Sequence, residues 1–417
     1  MLTVSEALAK VLSSFRTLEA ESIRSESAVG RVLAEPIRAT LDLPPFPNSS
    51  MDGYAVRAED LRTASAHRPT TLTVIGDIPA GAAPAVSLER GTAARIMTGA
   101  HVPDGADSVV PIEATGADRS VVDAPPPTAI ALHQPIESGA YIRPKGEDVR
   151  SGDTVMEAGR VLRVYDIGLL ASFGLTRVNV IRRPRVAVIS TGDELVEIDQ
   201  PLRPGQIRDS NSYSLAALTH KYGGEPLMLG VARDRVEAVT AKLQAAADLH
   251  PDLIVSSAGV SVGAYDVVKA AVERDGALDF WKVRMRPGKP VAFGQYRGIP
   301  FFGLPGNPVS AIVSFEIFVR PVLLKLGGRR NLEKPAVDVK VSEPLHSDGR
   351  ETYLRAVVRK VGNELAAHSA GGQGSNILSA LVNANALVII PEGVVEIPSG
   401  SMVKAWMLDG PEEVDWQ

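Results

Sequence analysis

The sequence predicts a multidomain α/β plus β protein, with a central doubly wound α/β domain, an inserted β domain, a helical element and a β-rich C-terminal region. Three observations support this fold class. The 417 residues exceed what one hydrophobic core accommodates, so two to four domains are expected. Residues 178–327 alternate short apolar runs with helical patterns, which is typical of a parallel sheet covered by helices. Elsewhere, short β-like runs are broken by turns, in a chain with 37 Gly and 30 Pro.

The elements follow in order along the chain. TVSEALAKVLSSF predicts a helix, because Thr3 and Glu6 have capping-box spacing ahead of a one-sided apolar pattern. Strand-like runs occupy about residues 40–145, and RVYDIGLLASFG then predicts a helix that stops at Gly174. In the central region, four strand runs (RVAVIS, PLMLGVA, DLIVSS and IPFFGL) alternate with helices. After Gly328 only β-like runs follow, which predicts a small barrel or sandwich without further helices.

Composition argues against several classes of function. The chain has no cysteine, which excludes disulfides, thiolate nucleophiles and Cys-ligated zinc, and its seven histidines lack metal-ligand spacing. A net charge of −5 argues against nucleic-acid binding. Neither a membrane-span run nor a secretory signal pattern is present, so we expect a soluble, cytoplasmic protein without membrane partners. Any metal should be a hard cation held by carboxylates and phosphate.

Polar residues follow all four strands of the predicted sheet, where ligands of doubly wound domains bind. Glu194 in TGDEL follows the first strand, Asp234 the second, AGVSVGAYD ending at Asp266 the third, and PGNPVSA the fourth. Structural alternatives exist, because Asp234 with Glu237 fits a helix cap and Asp266 equally fits a first helical turn. Glycine loops next to carboxylates and cations nevertheless suit a phosphorylated ligand with Mg²⁺. The cations in question surround PGKP: Lys282, Arg284, Arg286 and Lys289.

Seven motifs, in order over essentially the whole chain, resemble the MoeA family of molybdopterin molybdenumtransferases, which includes the gephyrin E domain and plant molybdenum insertases. They are PPFPNSSMDGYAV, RIMTGAHVPDGADSVVPIE, RPKGEDV, STGDEL, AGVSVGAYD, RPGKPVAFG and GLPGNPVSA. The resemblance implies four domains: an elongated helical domain I (1–42 and 143–177), an inserted β domain II (43–142), an α/β molybdopterin-binding domain III (178–328) and a β-barrel domain IV (329–417). It also implies a homodimer whose cleft joins domains III and IV of one chain to domain II of the other.

The activity implied by the resemblance is the last step of molybdenum cofactor assembly. A molybdopterin molybdotransferase inserts molybdenum from molybdate into adenylyl-molybdopterin and releases AMP, with Mg²⁺ as the usual ion. Because no adenylylating domain is visible in this sequence, a separate molybdopterin adenylyltransferase is expected upstream. Molybdoenzyme apoproteins or their chaperones are expected downstream.

The resemblance also assigns roles to residues. Asp52, Thr98, Glu194, Asp234 and Asp266 match catalytic positions, and the last three are expected to hold Mg²⁺. The residues expected to bind substrate or to shape the oxyanion site are Asp148, Gly259, Ser261, Gly263, Lys282, Arg286, Lys289, Pro305, Pro308, Arg355 and Ser375.

Asp52 lies in a loop stiffened by three prolines, and the resemblance places it across the dimer gap, where it would position water, metal or a molybdate oxygen. An Asx turn at Asp52-Gly53 is the structural alternative. Departures from the family pattern are Pro47 for a common Asp, Ser50 for a common Ala, Ala258 for a common Gly and Arg286 for a common Lys. They affect fine ligand geometry, since a guanidinium fork differs from an ammonium point charge.

Two other functions remain open from the sequence. The chain could act only as a hydrolase or adenylyltransferase on the adenylyl-pterin or another dinucleotide, but stand-alone α/β domains of that type lack PPFPNSSMDGYAV and RIMTGA. It could instead serve as a scaffold, although a scaffold does not need the carboxylate and cation set.

Overall fold

A computed structural model describes residues 1–116, 125–258 and 264–409, with the side chains of 264–266 and 280 excluded. Contacts within the chain define two compact units. One comprises residues 1–35, 159–168 and 176–417, and the other comprises residues 36–158 and 169–175. The larger unit contains the α/β sheet and the C-terminal strands. The four domain boundaries given above remain a prediction.

The α/β sheet has six strands, in the spatial order Glu225–Ala232, Arg185–Thr191, Leu253–Ser257, Ile299–Leu304, Pro290–Tyr296 and Gly276–Lys282. The first four are parallel, as predicted, and strand order switches direction between Arg185–Thr191 and Leu253–Ser257. The last two strands are joined by antiparallel pairings, of Pro290–Tyr296 with Ile299–Leu304 and with Gly276–Lys282, which the alternation of strands and helices did not predict. The first of these pairings forms because the chain reverses in a tight hairpin at Arg297-Gly298, where both residues have positive φ.

Helices cover both faces of this sheet. They span Asn211–Lys221, Val236–Asp248, Ala264–Glu273, Pro308–Ser314 and Arg320–Leu326, and a π-helical turn, Phe315–Val319, joins the last two. The predicted N-terminal helix is Val4–Ser13, and both hydrogen bonds of the Thr3–Glu6 capping box are present. Its buried face packs with Phe302 and Leu323 in one of the two cores beside the sheet. The helix is therefore anchored to the α/β region by apolar burial.

The C-terminal strands form a closed five-stranded barrel, which confirms the barrel and excludes the sandwich. Its strands are Ala336–Val341, Glu351–Val361, Glu364–Ser369, Ala386–Ile390 and Met402–Met407. Each pairs with two others, so the ring closes without a free edge. The prediction of no further helix is wrong, because a short helix, Leu378–Val382, precedes the fourth strand.

The smaller unit contains a mixed five-stranded sheet. Its spatial order is Ser108–Pro111, Gly53–Val56, Thr92–Ile96, Thr70–Ile78 and Ala129–Leu132. The residues on its two faces form separate apolar cores. Gly53 is required by close packing, since a Cβ at this position would lie 2.0 Å from the carbonyl oxygen of Val110.

The helix predicted from RVYDIGLLASFG is Val164–Ser172, and Gly174 follows it with a φ of 71°, as expected for a helix stop.

Short ladders complete the described strands. They pair Ala20–Arg24 with Arg177–Ile181, Ile37–Arg38 with Thr154–Met156, Asn48–Ser49 with Ile142–Arg143, Leu195–Val196 with Ile207–Arg208, and Leu345–His346 with Glu396–Ile397; Met285–Arg286 joins the barrel beside Glu351–Val361.

Candidate functional site

A cavity of about 680 Å³ opens at the carboxyl ends of the parallel strands, next to the switch in strand order. Thr191 and Ser257, the last residues of the two strands at the switch, line it. Glu194, Asp234, Pro305 and Pro308 line it too, so four of the residues predicted from sequence share one cavity. The cavity is therefore in the position expected for the ligand of a doubly wound domain.

Asp234 lies near other carboxylates, and no described cation forms an ion pair with it. Its Oδ1 is buried and has no hydrogen-bond partner among the described residues, while its backbone N–H donates to Asp193 Oδ1 at 3.2 Å. Burial raises the pKa of Asp234, and the charges of Asp193 and Glu194 raise it further. The helix-cap alternative is wrong, because the N-cap of Val236–Asp248 is Arg235 and no side chain caps that helix. The arrangement suits a bound cation.

Three oxygen atoms on the cavity wall also lack partners among the described residues. They are Thr191 Oγ1, Asp209 Oδ2 and Asn211 Oδ1, and all three are buried. Asp209 and Asn211 were not singled out from the sequence. The only signal was the polar run Asp-Ser-Asn-Ser before a predicted helix, a pattern that ordinarily indicates a helix start.

Arg355 carries a buried and uncompensated positive charge. It lies on the barrel strand Glu351–Val361, is 1% exposed, and its Nη2 donates to the carbonyl oxygens of Gly372 and Gly374, both at 3.1 Å. Its Nε is buried without a partner among the described residues, and no described carboxylate forms an ion pair with it. Burial, and then the charge of Arg286, lower the pKa of Arg355 to about 10. A buried cation in this condition favours a bound anion.

The loop 371–376 connects Arg355 to the wall of the large cavity. Gln373 accepts from the Arg355 backbone N–H and donates to the Arg355 carbonyl, both at 3.0 Å. At the other end of the loop, Ser375 Oγ accepts from Asn307 Nδ2 at 2.9 Å, and the Ser375 carbonyl accepts from the Val309 N–H at 3.1 Å. Ser375 therefore lies beside the loop that carries Pro305 and Pro308.

The other predicted cations are more exposed. Arg286 and Arg355 line the same cavity of about 280 Å³, and Arg286 Nη1 lies 3.8 Å from Asp348 Oδ2. Lys282 and Lys289 are exposed at facing ends of two antiparallel strands, Gly276–Lys282 and Pro290–Tyr296, and the Lys289 carbonyl accepts from the Val283 N–H. The structure thus separates a pair of arginines beside the barrel from the acidic cavity of the α/β sheet.

Asp52 and Thr98, both in the smaller unit, are in direct contact. Asp52 Oδ1 accepts hydrogen bonds from the Thr98 backbone N–H and from Thr98 Oγ1, each at 2.7 Å. The carboxylate is thereby fixed at the tip of the proline-stiffened loop. Asp148, in the same unit, is exposed, and its backbone N–H donates to the Leu43 carbonyl at 2.9 Å.

Several predicted positions lie outside the described residues. Gly259, Ser261 and Gly263 belong to this group, and Asp266 lies in the helix Ala264–Glu273 while its side chain is likewise outside. Ala258, the last described residue before them, has a φ of 72° and lines the large cavity. This left-handed conformation is favourable for glycine, which explains why a glycine is common there in the family pattern.

Two features are absent from the described residues. No described helix combines the length and apolar character needed to cross a membrane. No group of three or more acidic or histidine side chains is placed to hold a metal ion, within the same part of the chain.

Family models match three segments of the chain. Residues 2–174 match the MoeA N-terminal region (domain I and II), residues 187–325 match a probable molybdopterin binding domain, and residues 338–408 match the MoeA C-terminal region (domain IV).

Whole-length relatives agree with these matches. A molybdopterin molybdenumtransferase from Nostoc sp. is 42% identical over 384 residues, which cover 90% of this chain and 86% of the relative. Molybdopterin molybdenumtransferase 2 from Mycobacterium tuberculosis is 40% identical over 415 residues, which cover 98% of this chain and 100% of the relative. A crystal structure of a molybdopterin biosynthesis MoeA protein from Pyrococcus horikoshii has a TM-score of 0.80 at 30% identity, covering 98% of this chain and 100% of that one.

Proposed function

Because this chain belongs to the MoeA family of molybdopterin molybdenumtransferases, we propose that it transfers molybdenum from molybdate to adenylyl-molybdopterin and releases AMP. In this reaction one oxo group of molybdate leaves as water, taking up the two thiol protons of the pterin dithiolene, while molybdenum gains bonds to both sulfurs. A second water molecule cleaves the phosphoanhydride bond and releases AMP. The observation that carries the proposal is the acidic cavity at the switch in strand order, next to a barrel with a buried, uncompensated Arg355.

The large cavity would hold the organic substrate. Its volume of about 680 Å³ is within the range of pockets for ligands of drug size. Pro305 and Pro308 form part of a rigid wall, and Gly259, Ser261 and Gly263 would supply backbone N–H donors for the phosphates.

Mg²⁺ fits the acidic side of this cavity. Asp234 has an orphaned buried oxygen and a raised pKa caused by burial and neighbouring carboxylates, and oxygen ligands of this kind are what Mg²⁺ prefers. Glu194, Asp234 and Asp266 would hold the ion, and phosphate oxygens of the substrate would complete its ligand set. When bound, the ion would neutralise charge on the phosphoanhydride. Asp234 and Glu194 would orient the phosphates for attack by water.

Molybdate would bind where positive charge lacks a partner. Arg355 offers a guanidinium that forms no ion pair with a described carboxylate, and Arg286 lines the same cavity. Ser375 supplies a hydroxyl at the far end of the loop that also holds the Arg355 guanidinium. Lys282 and Lys289 add positive charge to this side of the protein and would attract both anionic substrates.

The protein would work as a cytoplasmic homodimer with a shared cleft, to which the partner subunit contributes Asp52 and Thr98. Their mutual hydrogen bonds support this role, because a carboxylate fixed in advance loses little entropy on binding. Asp148 would add a further contact to substrate. A separate molybdopterin adenylyltransferase would supply the substrate, and molybdoenzyme apoproteins or their chaperones would receive the product.

The test mixes purified protein with adenylyl-molybdopterin, molybdate and Mg²⁺, and follows AMP release together with reconstitution of a molybdenum-free apoenzyme. We expect both signals from the wild type, neither from Asp234→Asn, and both from Glu237→Gln, which alters an exposed carboxylate on the adjoining helix. AMP release without reconstitution would identify a hydrolase. The absence of both signals in folded wild-type protein would favour the scaffold role over an enzymatic one.

A further inference from the structure

One wall of the large cavity contains hydrogen-bond acceptors that the protein leaves unused. Thr191 and Asp209 are each 1% exposed, and their atoms Oγ1 and Oδ2 have no partner among the described residues. Asn211 Oδ1 is in the same condition. Buried polar atoms are nearly always paired in native proteins, so three such atoms on one wall point to a missing ligand.

The remaining polar atoms of Asp209 and Asn211 are already engaged and fix both side chains. Asp209 Oδ1 accepts from Ser190 Oγ at 3.0 Å and from the Ser212 N–H at 3.1 Å. Asn211 Nδ2 donates to Ser257 Oγ at 2.6 Å and to the Gly306 carbonyl at 2.8 Å. Asp209 Oδ1 therefore stabilises the start of the helix Asn211–Lys221, whereas Asp209 Oδ2 takes part in none of these hydrogen bonds. The amide orientation of Asn211 leaves its oxygen as the free acceptor.

The chemistry of this wall selects the group that binds it. A carboxylate and an amide oxygen are acceptors, so without a cation between them they repel phosphate and pair instead with N–H donors. The pyrimidinone edge of a pterin presents a ring N–H beside an exocyclic amino group. Adenine presents its amino group next to a ring acceptor, which matches two neighbouring acceptors less well.

We propose that Asp209, together with Asn211 and Thr191, binds the 2-amino and ring N–H edge of the pterin. The inference rests on the proposed function for the identity of the heterocycle. It places the pterin against the strand ends at the switch, which leaves its phosphates free to turn toward Glu194 and Asp234, on the acidic side of the cavity.

Isothermal titration calorimetry with small probes tests this assignment. The probes are neopterin, the matching lumazine with oxygen in place of the 2-amino group, and AMP, each with and without Mg²⁺. The variant Asp209→Asn presents an amino group where Oδ2 was but keeps the Oδ1 acceptor. We expect it to bind neopterin about 10- to 100-fold more weakly, with AMP affinity changed less than about twofold. Wild type should prefer neopterin over the lumazine by about tenfold, and Asp209→Asn should lose that preference.

Two further variants keep the test decisive. Thr191→Val removes Oγ1 without changing shape and should weaken neopterin about three- to tenfold, even if Asp209→Asn does not fold. Glu237→Gln, an exposed carboxylate on the next helix, should leave all three probes unchanged.

Three results would overturn the proposal: equal affinity of the wild type for neopterin and the lumazine, equal loss of neopterin and AMP in Asp209→Asn, or a loss seen only with Mg²⁺, which would make Asp209 a metal ligand. Failure of molybdenum insertion in a wild type that still discriminates the two probes would refute the proposed function alone.

Discussion

Replacing Arg355 with methionine should remove most of the affinity of this protein for molybdate. The change deletes a buried guanidinium and keeps a side chain of comparable length. Arg359→Met is the matched control, because Arg359 is an exposed residue of the same strand, Glu351–Val361. Arg355→Lys separates charge from shape, since an ammonium group cannot contact both Gly372 and Gly374 while also presenting a planar fork to an anion.

The size of the effect follows from the electrostatics of Arg355. Its pKa falls from an ordinary 12.5 to about 10 because the side chain is buried and lies near Arg286. At about 1.4 kcal/mol per pKa unit, the charged form is destabilised by about 3 kcal/mol in the ligand-free protein. A dianion bound beside the guanidinium would recover this free energy. Loss of the guanidinium should therefore weaken molybdate binding by about 100-fold or more.

The assay is titration with molybdate, followed by calorimetry and by thermal unfolding. Molybdate at about 100 times its Kd should stabilise the wild type by about 2.7 kcal/mol. Arg355→Met should show no stabilisation at the same concentration, Arg355→Lys should retain a part of it, and Arg359→Met should match the wild type. Unchanged molybdate affinity in Arg355→Met, with the fold intact, would refute the reasoning from the uncompensated charge.

Four other changes follow from the geometry. Asp234→Asn should raise the free energy of unfolding at pH 7 by up to about 1 kcal/mol, measured by denaturant titration, because the raised pKa of Asp234 means that its ionised form opposes folding. The gain should fade as the pH drops through the raised pKa and disappear well below the ordinary value of 3.8, where the carboxyl group is protonated in both states; its persistence there would show a cause other than charge. Ala258→Gly should stabilise the protein by about 0.5–1 kcal/mol in the same titration, because the Cβ of alanine is sterically strained at a φ of 72° and glycine has no Cβ; destabilisation would contradict this. Gly53→Ala should lower the midpoint of thermal unfolding by several degrees or abolish soluble expression, because the added Cβ would meet the Val110 carbonyl. Thr98→Val should slow AMP release about tenfold or more, because it removes one of the two Thr98 hydrogen bonds to the Asp52 carboxylate, whereas Thr98→Ser should retain most of the rate; equal loss in both variants would argue against the hydroxyl contact.

Much of the fold could be predicted because local pattern and global topology agree. The parallel core was predictable, since Val186, Ala187, Val188 and Ile189 form a continuous apolar run that suits a strand buried on both faces. Closure of the barrel was not predictable from periodicity, because it depends on pairing between Glu351–Val361 and Ala386–Ile390, and runs of this kind equally suit a sandwich. The resemblance to the family was needed to choose between the two.

The residues of the candidate site likewise include some that the sequence predicts and some that it does not. Asp234 and Glu194 were predictable, because they directly follow strands and such positions share one edge of a sheet. Asp209 was not, because its significance depends on which of its two oxygens is paired, and a sequence shows only a polar residue before a helix. The helix-cap prediction for Asp234 is wrong for a related reason, because the helix begins one residue later than the prediction needs, so that Arg235 is the N-cap.

The loop 371–376 links the two cavities through hydrogen bonds. Its Gly374 carbonyl contacts the Arg355 guanidinium, while the next residue, Ser375, contacts Asn307, and Asn211 contacts the Gly306 carbonyl. An anion that draws the guanidinium away from Gly374 would shift the backbone of this loop, and with it the wall of the cavity for the organic ligand. Affinity for either ligand would then depend on whether the other is already bound, and each ligand would change the affinity for the other by the same factor.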